Sequence, residues 1–122
     1  MSRFVYYNKN PNGDRRNDCV TRAISLASGL PYPEIRRKLF HTSRLLNCDK
    51  LCVACYRHLL DDVFKYPRVK CYGNTVNEFA QKHPKGAYLL RMSGHITTII
   101  DGTIFDLFDC GDIEITDAWK VD

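Results

Sequence analysis

A chain of 122 residues, 44% of them hydrophobic, is long enough to close one core and too short for two ordinary domains, so one domain over residues 1–122 is expected. Its apolar runs last only a few residues, as at Ile99-Ile100, which excludes a bilayer-spanning helix, and Met1 to Val5 lacks the marks of a secretory signal, so the cytoplasm is the expected compartment. Six cysteines are then expected as thiols, metal ligands or a nucleophile rather than disulfides, and a formal charge of +4, scattered over Arg15-Arg16 and Arg36-Arg37-Lys38 rather than gathered in one basic arm, is mild support at best for an acidic partner and leaves nucleic-acid binding the least favoured function.

In chain order, Arg3 to Tyr7 alternates weakly and is aromatic-rich, which predicts a short strand, and the Asn-, Pro- and Gly-dense stretch Asn8 to Asn17 predicts a loop. Asp18 is placed to cap a helix whose apolar residues Cys19, Ala23, Ile24, Leu26 and Ala27 recur at helical spacing until Gly29 ends it. Pro31, Pro33 and Glu34 open a second helix leading through Ile35, Leu39 and Phe40 towards Leu45-Leu46. A third helix is expected over about Asp49 to Phe64, and an irregular strand within Lys65 to Tyr72. Thr75-Val76-Asn77-Glu78 is a capping box, so a short helix should run to about His83 and stop before Pro84. The pattern then changes to strands: Ala87 to Met92, His95 to Ile100, Thr103 to Phe108, with Asp101-Gly102 as a tight turn, and Ile113 to Val121. The fold class expected is α+β, with N-terminal helices packed on a C-terminal antiparallel sheet.

A thiol attacks as its thiolate, and a helix N-terminus supplies partial positive charge and unpaired N–H groups that favour the anion and can hold an oxyanion. Cys19 has that position, and His95 opens a strand after Ser93-Gly94, where its ring can face a helix end. The remaining need is an acceptor that fixes the imidazole tautomer. If Asp101 and Gly102 are the two turn residues, Thr97 faces Asp106 and His95 is the diagonal neighbour of Asp106 on the same face. A three-residue turn would instead pair His95 with Asp109, which makes Asp109 the fallback. Taken singly, each residue has a plainer role: a small core cysteine, a structural histidine, and carboxylates that end a strand or shape a turn.

These residues, within Asn17-Asp18-Cys19-Val20-Thr21-Arg22-Ala23, Ser93-Gly94-His95 and Asp101-Gly102-Thr103-Ile104-Phe105-Asp106, resemble the papain-like superfamily of cysteine peptidases, amidases and acyltransferases. In that superfamily a Cys on a helix precedes a His on a strand and an Asp or Asn on the next. The overall pattern looks most like small cysteine-peptidase-like proteins encoded by bacteriophages. The resemblance implies a papain-like fold, a Cys-His-Asp triad of Cys19, His95 and Asp106, no cofactor, and a protein or peptide substrate, a host protein among the candidates. Many members complete the oxyanion hole with a Gln or Asn before the Cys; no Gln precedes Cys19, and Asn10, Asn12 and Asn17 are the candidates here. The alternative is a binding module that keeps the scaffold without the chemistry, for example a phage protein that inhibits a host factor.

Cys48, Cys52, Cys55 and His58 form a second cluster, C-x3-C-x2-C-x2-H, whose cysteine spacing matches the iron–sulfur sites of radical enzymes that use S-adenosylmethionine. Those enzymes need a large α/β barrel, which 122 residues cannot build. Zinc suits thiolates and imidazole, but consecutive ligands on one continuous helix do not wrap a tetrahedral ion. The preferred reading is a core-facing stripe of Cys48, Cys52, Cys55 and Leu59 at helical spacing, with no metal.

Overall fold

In a computed structural model that describes residues 3–11, 18–49, 52–71 and 73–122, one five-stranded sheet separates two apolar cores. The strands are β1 (Arg3–Tyr6), β2 (Ala87–Met92), β3 (His95–Ile100), β4 (Thr103–Asp106) and β5 (Ile115–Lys120), in the order β1-β4-β3-β2-β5. The helices are α1 (Cys19–Ser28), α2 (Tyr32–Leu46), α3 (Val53–His58) and α4 (Val76–Lys82), with a π-helical segment, Leu59–Val63, continuing from α3. The class is α+β, but the sheet is mixed rather than antiparallel as the sequence led us to expect. The N-terminal strand β1 pairs in parallel with β4, from Arg3 opposite Thr103 to Tyr6 opposite Asp106, and so covers the edge that the short strand β4 would otherwise leave open.

Periodicity explains the two cores. In β2, Leu89 joins Ile96 and Trp119 in the core beneath α1, α2 and α3, whereas Tyr88, Leu90 and Met92 face α4 with Phe79, Ile99 and Ala118. The β2 residues Ala87 to Leu90 are therefore buried on both faces. On α1, Val20, Ala23, Ile24 and Ala27 are the buried apolar positions, and Thr98 ties β3 to this helix through its hydroxyl, which donates to the Ala23 carbonyl at 2.7 Å. Each fully buried aliphatic such as Ile24 or Leu39 contributes about 1.5–3 kcal/mol relative to exposure.

Helix ends follow local chemistry at most boundaries. Gly29 (φ 77°) closes α1, and its N–H donates to Ser25; Asn47 (φ 52°) closes α2 in the same left-handed conformation. Both bonds of the Thr75–Glu78 capping box form at the start of α4. The third helix is a correction: it begins only at Val53, because Cys52 takes the cap position and its sulfur accepts from the Cys55 N–H at 3.4 Å, and beyond His58 it widens into the π-helical segment. Lys65 to Lys70 contributes a single bridge, Arg68 to Trp119, at the open edge of β5. Strand β4 stops at Asp106, short of the expected Phe108, and β5 spans Ile115–Lys120 rather than Ile113 to Val121.

No helix among the described residues is long and apolar enough to cross a membrane.

Candidate active site

The hairpin between β3 and β4 sets the geometry. Asp101 (φ 50°) and Gly102 (φ 77°) form a two-residue turn in which both residues need positive φ, the conformation that Asp-Gly tolerates best. The register follows as Ile100 opposite Thr103, Ile99 opposite Ile104 and Thr98 opposite Phe105, which carries Thr97 to the level of Asp106. His95 then reaches diagonally, and its Nε2 lies 2.6 Å from Asp106 Oδ2. The fallback is overturned by the same register: with two turn residues rather than three, Asp109 is out of step with His95, and its carboxylate instead accepts from the Gly111 N–H at 2.9 Å within a turn.

Because Nε2 is committed to Asp106, the other ring nitrogen, Nδ1, is the one left for a thiol. The Cys19 thiol, on the first residue of α1, lines one cleft with His95, and the His95 side chain and the Ile96 backbone N–H both favour its anion. Burial pushes this thiol up, but the bond and charge of His95, the Ile96 N–H and the Arg22 guanidinium together bring it below the usual thiol value. Burial pushes His95 down, and the hydrogen bonds to Asp106 and Cys19 overcome it, raising the imidazole to about 9. Asp106 is only 3% exposed; burial pushes its carboxyl up, yet the His95 hydrogen bond leads a set of contacts that leaves it below the usual carboxylate range. These directions favour a thiolate beside an imidazolium. The Phe108 ring covers the imidazole, its centroid 4.8 Å away.

A buried polar network, unforeseen in the sequence, stands behind the triad. Asp18 occupies the cap position of α1, but its side chain makes no cap bond, contrary to expectation. Its carboxylate accepts instead from Arg22 Nε (2.6 Å), the Tyr32 hydroxyl (2.7 Å) and Asn10 Nδ2 (3.0 Å). Burial pushes Asp18 up, and these three bonds hold it below the usual range. Arg22 also reaches Asp106, with Nη1 3.5 Å from Oδ1, so one guanidinium braces two buried carboxylates. The Asp18–Arg22 spacing of i to i+4 was the signal available in the sequence. Asn10, an oxyanion-hole candidate, is buried with its amide nitrogen directed to Asp18 and Tyr32, which makes it a brace of this network; Asn12 and Asn17 lie outside the described residues.

Two openings flank Cys19. A cleft of about 150 Å³ is lined by Cys19, Val20, Val53, Tyr56, Arg91 and His95, with Gly94 and Ile96. On the other side a crevice of about 10 Å³ separates Cys19 and Arg22 from Tyr7 and Phe105. The first is well above the ~10–15 Å³ that a single water needs and has room for part of a ligand. The thiol is therefore not sealed into the core.

Cys110 is fully buried beside the triad, its sulfur within 4.8 Å of His95 and Asp106 ligand atoms, and burial pushes it up to about 12. The 2.6 Å bond between His95 and Asp106 already uses the facing atoms of those two residues.

The second cysteine cluster does not lie on one helix. Cys48 follows α2, Cys52 caps α3, and only Cys55 lies inside it, although all three pack into or against the core under the sheet. The expected stripe on a continuous helix is thus corrected, while its core contact stands. Burial, reinforced by Cys48 and Cys52, pushes Cys55 up to about 12. His58 turns to Asp62, with Nδ1 2.9 Å from Oδ2.

Set against known proteins, the chain matches no family model, no curated protein and no solved structure.

Proposed function

We propose that the protein is a papain-like, cysteine-dependent hydrolase or acyltransferase acting on an amide, peptide or isopeptide bond. The observation that carries this reading is the chain of contacts Cys19–His95–Asp106, in which the 2.6 Å bond to Asp106 fixes the ring so that Nδ1 serves the thiol.

In this scheme the Cys19 thiolate attacks the carbonyl carbon, a C–S bond forms, and the carbonyl π electrons move onto oxygen. The oxyanion is held by first-turn N–H groups of α1, which the Asp18 carboxylate leaves uncapped because Arg22, Tyr32 and Asn10 draw it away. Collapse breaks the C–N bond, and the imidazolium of His95 protonates the departing amine. Neutral His95 then takes a proton from water or an acceptor amine, which attacks the thioester and releases Cys19. Asp106 keeps the ring oriented and stabilises its charged form.

The test is turnover of a fluorogenic peptide-amide library. Wild-type protein should cleave at least one member and yield a Cys19 acyl-thioester on acid quench; Cys19→Ala should lose at least about 10³-fold in rate. Turnover surviving in Cys19→Ala would overturn the reading, and an effect on a partner protein that survives the same substitution would favour a binding module instead.

A further inference from the structure

The cleft beside Cys19 contains a cation that the triad does not use. Arg91 lies on β2, and its side chain is 18% exposed. Its Nε donates to the Tyr56 hydroxyl at 2.8 Å, and its Nη1 to Thr116 Oγ1 at 2.6 Å and Asp117 Oδ2 at 3.1 Å. None of these bonds uses Nη2. Asp117 is shared, moreover, with Arg57 (2.9 Å) and Arg68 (2.7 Å), and Arg68 also pairs with Asp61 at 2.8 Å. Three guanidinium groups thus share two carboxylates, a network with one positive charge in excess, and Arg91 is its member that lines the cleft.

Tyr56 has a matching position. Its hydroxyl accepts from Arg91, so its own proton is available to another acceptor, and the residue lines the same cleft as Cys19 and His95. Val20, Val53 and Ile96 provide the apolar remainder of the wall. A guanidinium with its Nη2 unused and a phenol beside it, lining one small cleft with Cys19, is a donor pair suited to a carboxylate.

We propose that Arg91, positioned by Tyr56 and Asp117, makes this cleft select a substrate that carries a carboxylate next to the scissile carbonyl. The inference rests on Cys19 being the nucleophile and adds the class of substrate. The carboxylate can belong to an acidic side chain or to a chain terminus; the chemistry recognised is the same.

The test compares alkylation of Cys19 by iodoacetate, which carries a carboxylate, and by iodoacetamide, which does not, read by peptide mass spectrometry. His95 as imidazolium also attracts the anion, so the readout is the change in the iodoacetate-to-iodoacetamide rate ratio on substitution. Arg91→Gln should lower that ratio by about tenfold, the effect of losing one charge-assisted hydrogen bond, and Arg91→Lys should lower it less. An unchanged ratio in Arg91→Gln overturns the inference. On wild-type protein, which needs no variant to fold, N-acetylaspartate amide and N-acetylglycine should protect Cys19 from iodoacetamide better than N-acetylglycinamide. Greater protection by the first identifies a side-chain carboxylate and by the second a terminal one, and equal protection by all three counts against the inference. Iodoacetamide labelling Cys19 no faster than the other cysteines would overturn the nucleophile itself; selective labelling without anion preference overturns only the role of Arg91.

Discussion

Cys19 and Cys55 both sit in the first turn of a helix and both adjoin the core beneath the sheet, yet their thiols are driven in opposite directions. Burial pushes each of them up. What separates them is the company they keep: Cys19 faces an imidazole, the Ile96 N–H and a guanidinium, whereas Cys55 faces Cys48, Cys52 and, with the smallest effect, Asp49. A helix N-terminus therefore does not by itself make a reactive cysteine. Specific donors and cations decide it, because burial removes water and strengthens whichever charges remain.

The largest expected effect tests this contrast directly. At pH 7 a thiol pushed up to about 12 holds a thiolate fraction on the order of 10⁻⁵, so iodoacetamide should alkylate Cys19 at least about 10³-fold faster than Cys55 in the folded protein. Comparable rates at the two positions, followed by peptide mass spectrometry, would abolish the distinction.

A smaller effect sharpens its cause. His95→Ala should slow Cys19 alkylation at pH 7 by roughly 10–30-fold, because an ordinary thiol is a few per cent thiolate there, and should leave Cys55 unchanged. The same pairing makes folding stability depend on pH. With His95 raised from 6.5 to about 9, the folded state binds its proton more tightly than the unfolded chain. That stabilisation is complete below about pH 6.5 and is lost as pH rises through about 9. The melting-temperature advantage of wild type over His95→Gln should accordingly shrink between pH 6 and 10. An advantage that widened over this range would reverse the sign we assign.

The smallest effect concerns packing. Cys55 is fully buried and its thiol donates to the Leu39 carbonyl at 3.4 Å, so Cys55→Ala should cost about 1 kcal/mol in urea unfolding. Cys19→Ala should stay within about 0.5 kcal/mol, since the site is only partly buried and Ala suits a helix. If the substitution at Cys19 were the costlier, Cys19 would be the structural cysteine of the two.

Much of the site was legible in the residues themselves. Gly29 ends α1, Thr75 and Glu78 start α4, and Asp101-Gly102 fixes the hairpin, because each acts on backbone within a few positions of itself. A two-residue turn then dictates the register, which is why the sequence alone pairs His95 with Asp106, eleven positions away. Local reasoning failed where a side chain had a distant competitor. Asp18 had the composition of a helix cap, but Tyr32 and Asn10 outbid the backbone for its carboxylate. Cys52 ended the predicted continuity of the third helix by capping it at Val53.

The sequence alone determined the secondary elements near their punctuating residues, the α+β class and the hairpin that joins His95 to Asp106, since these follow from backbone rules that extend only a few residues along the chain. Only the tertiary structure decided that β1 docks in parallel on β4, that Arg22 braces Asp18 and Asp106 together, and that Arg91 and Tyr56 open onto the same cleft as Cys19. Those contacts join residues remote in the chain, and they form because two cores close on one sheet and leave each buried charge to find its partner among whatever side chains packing brings near.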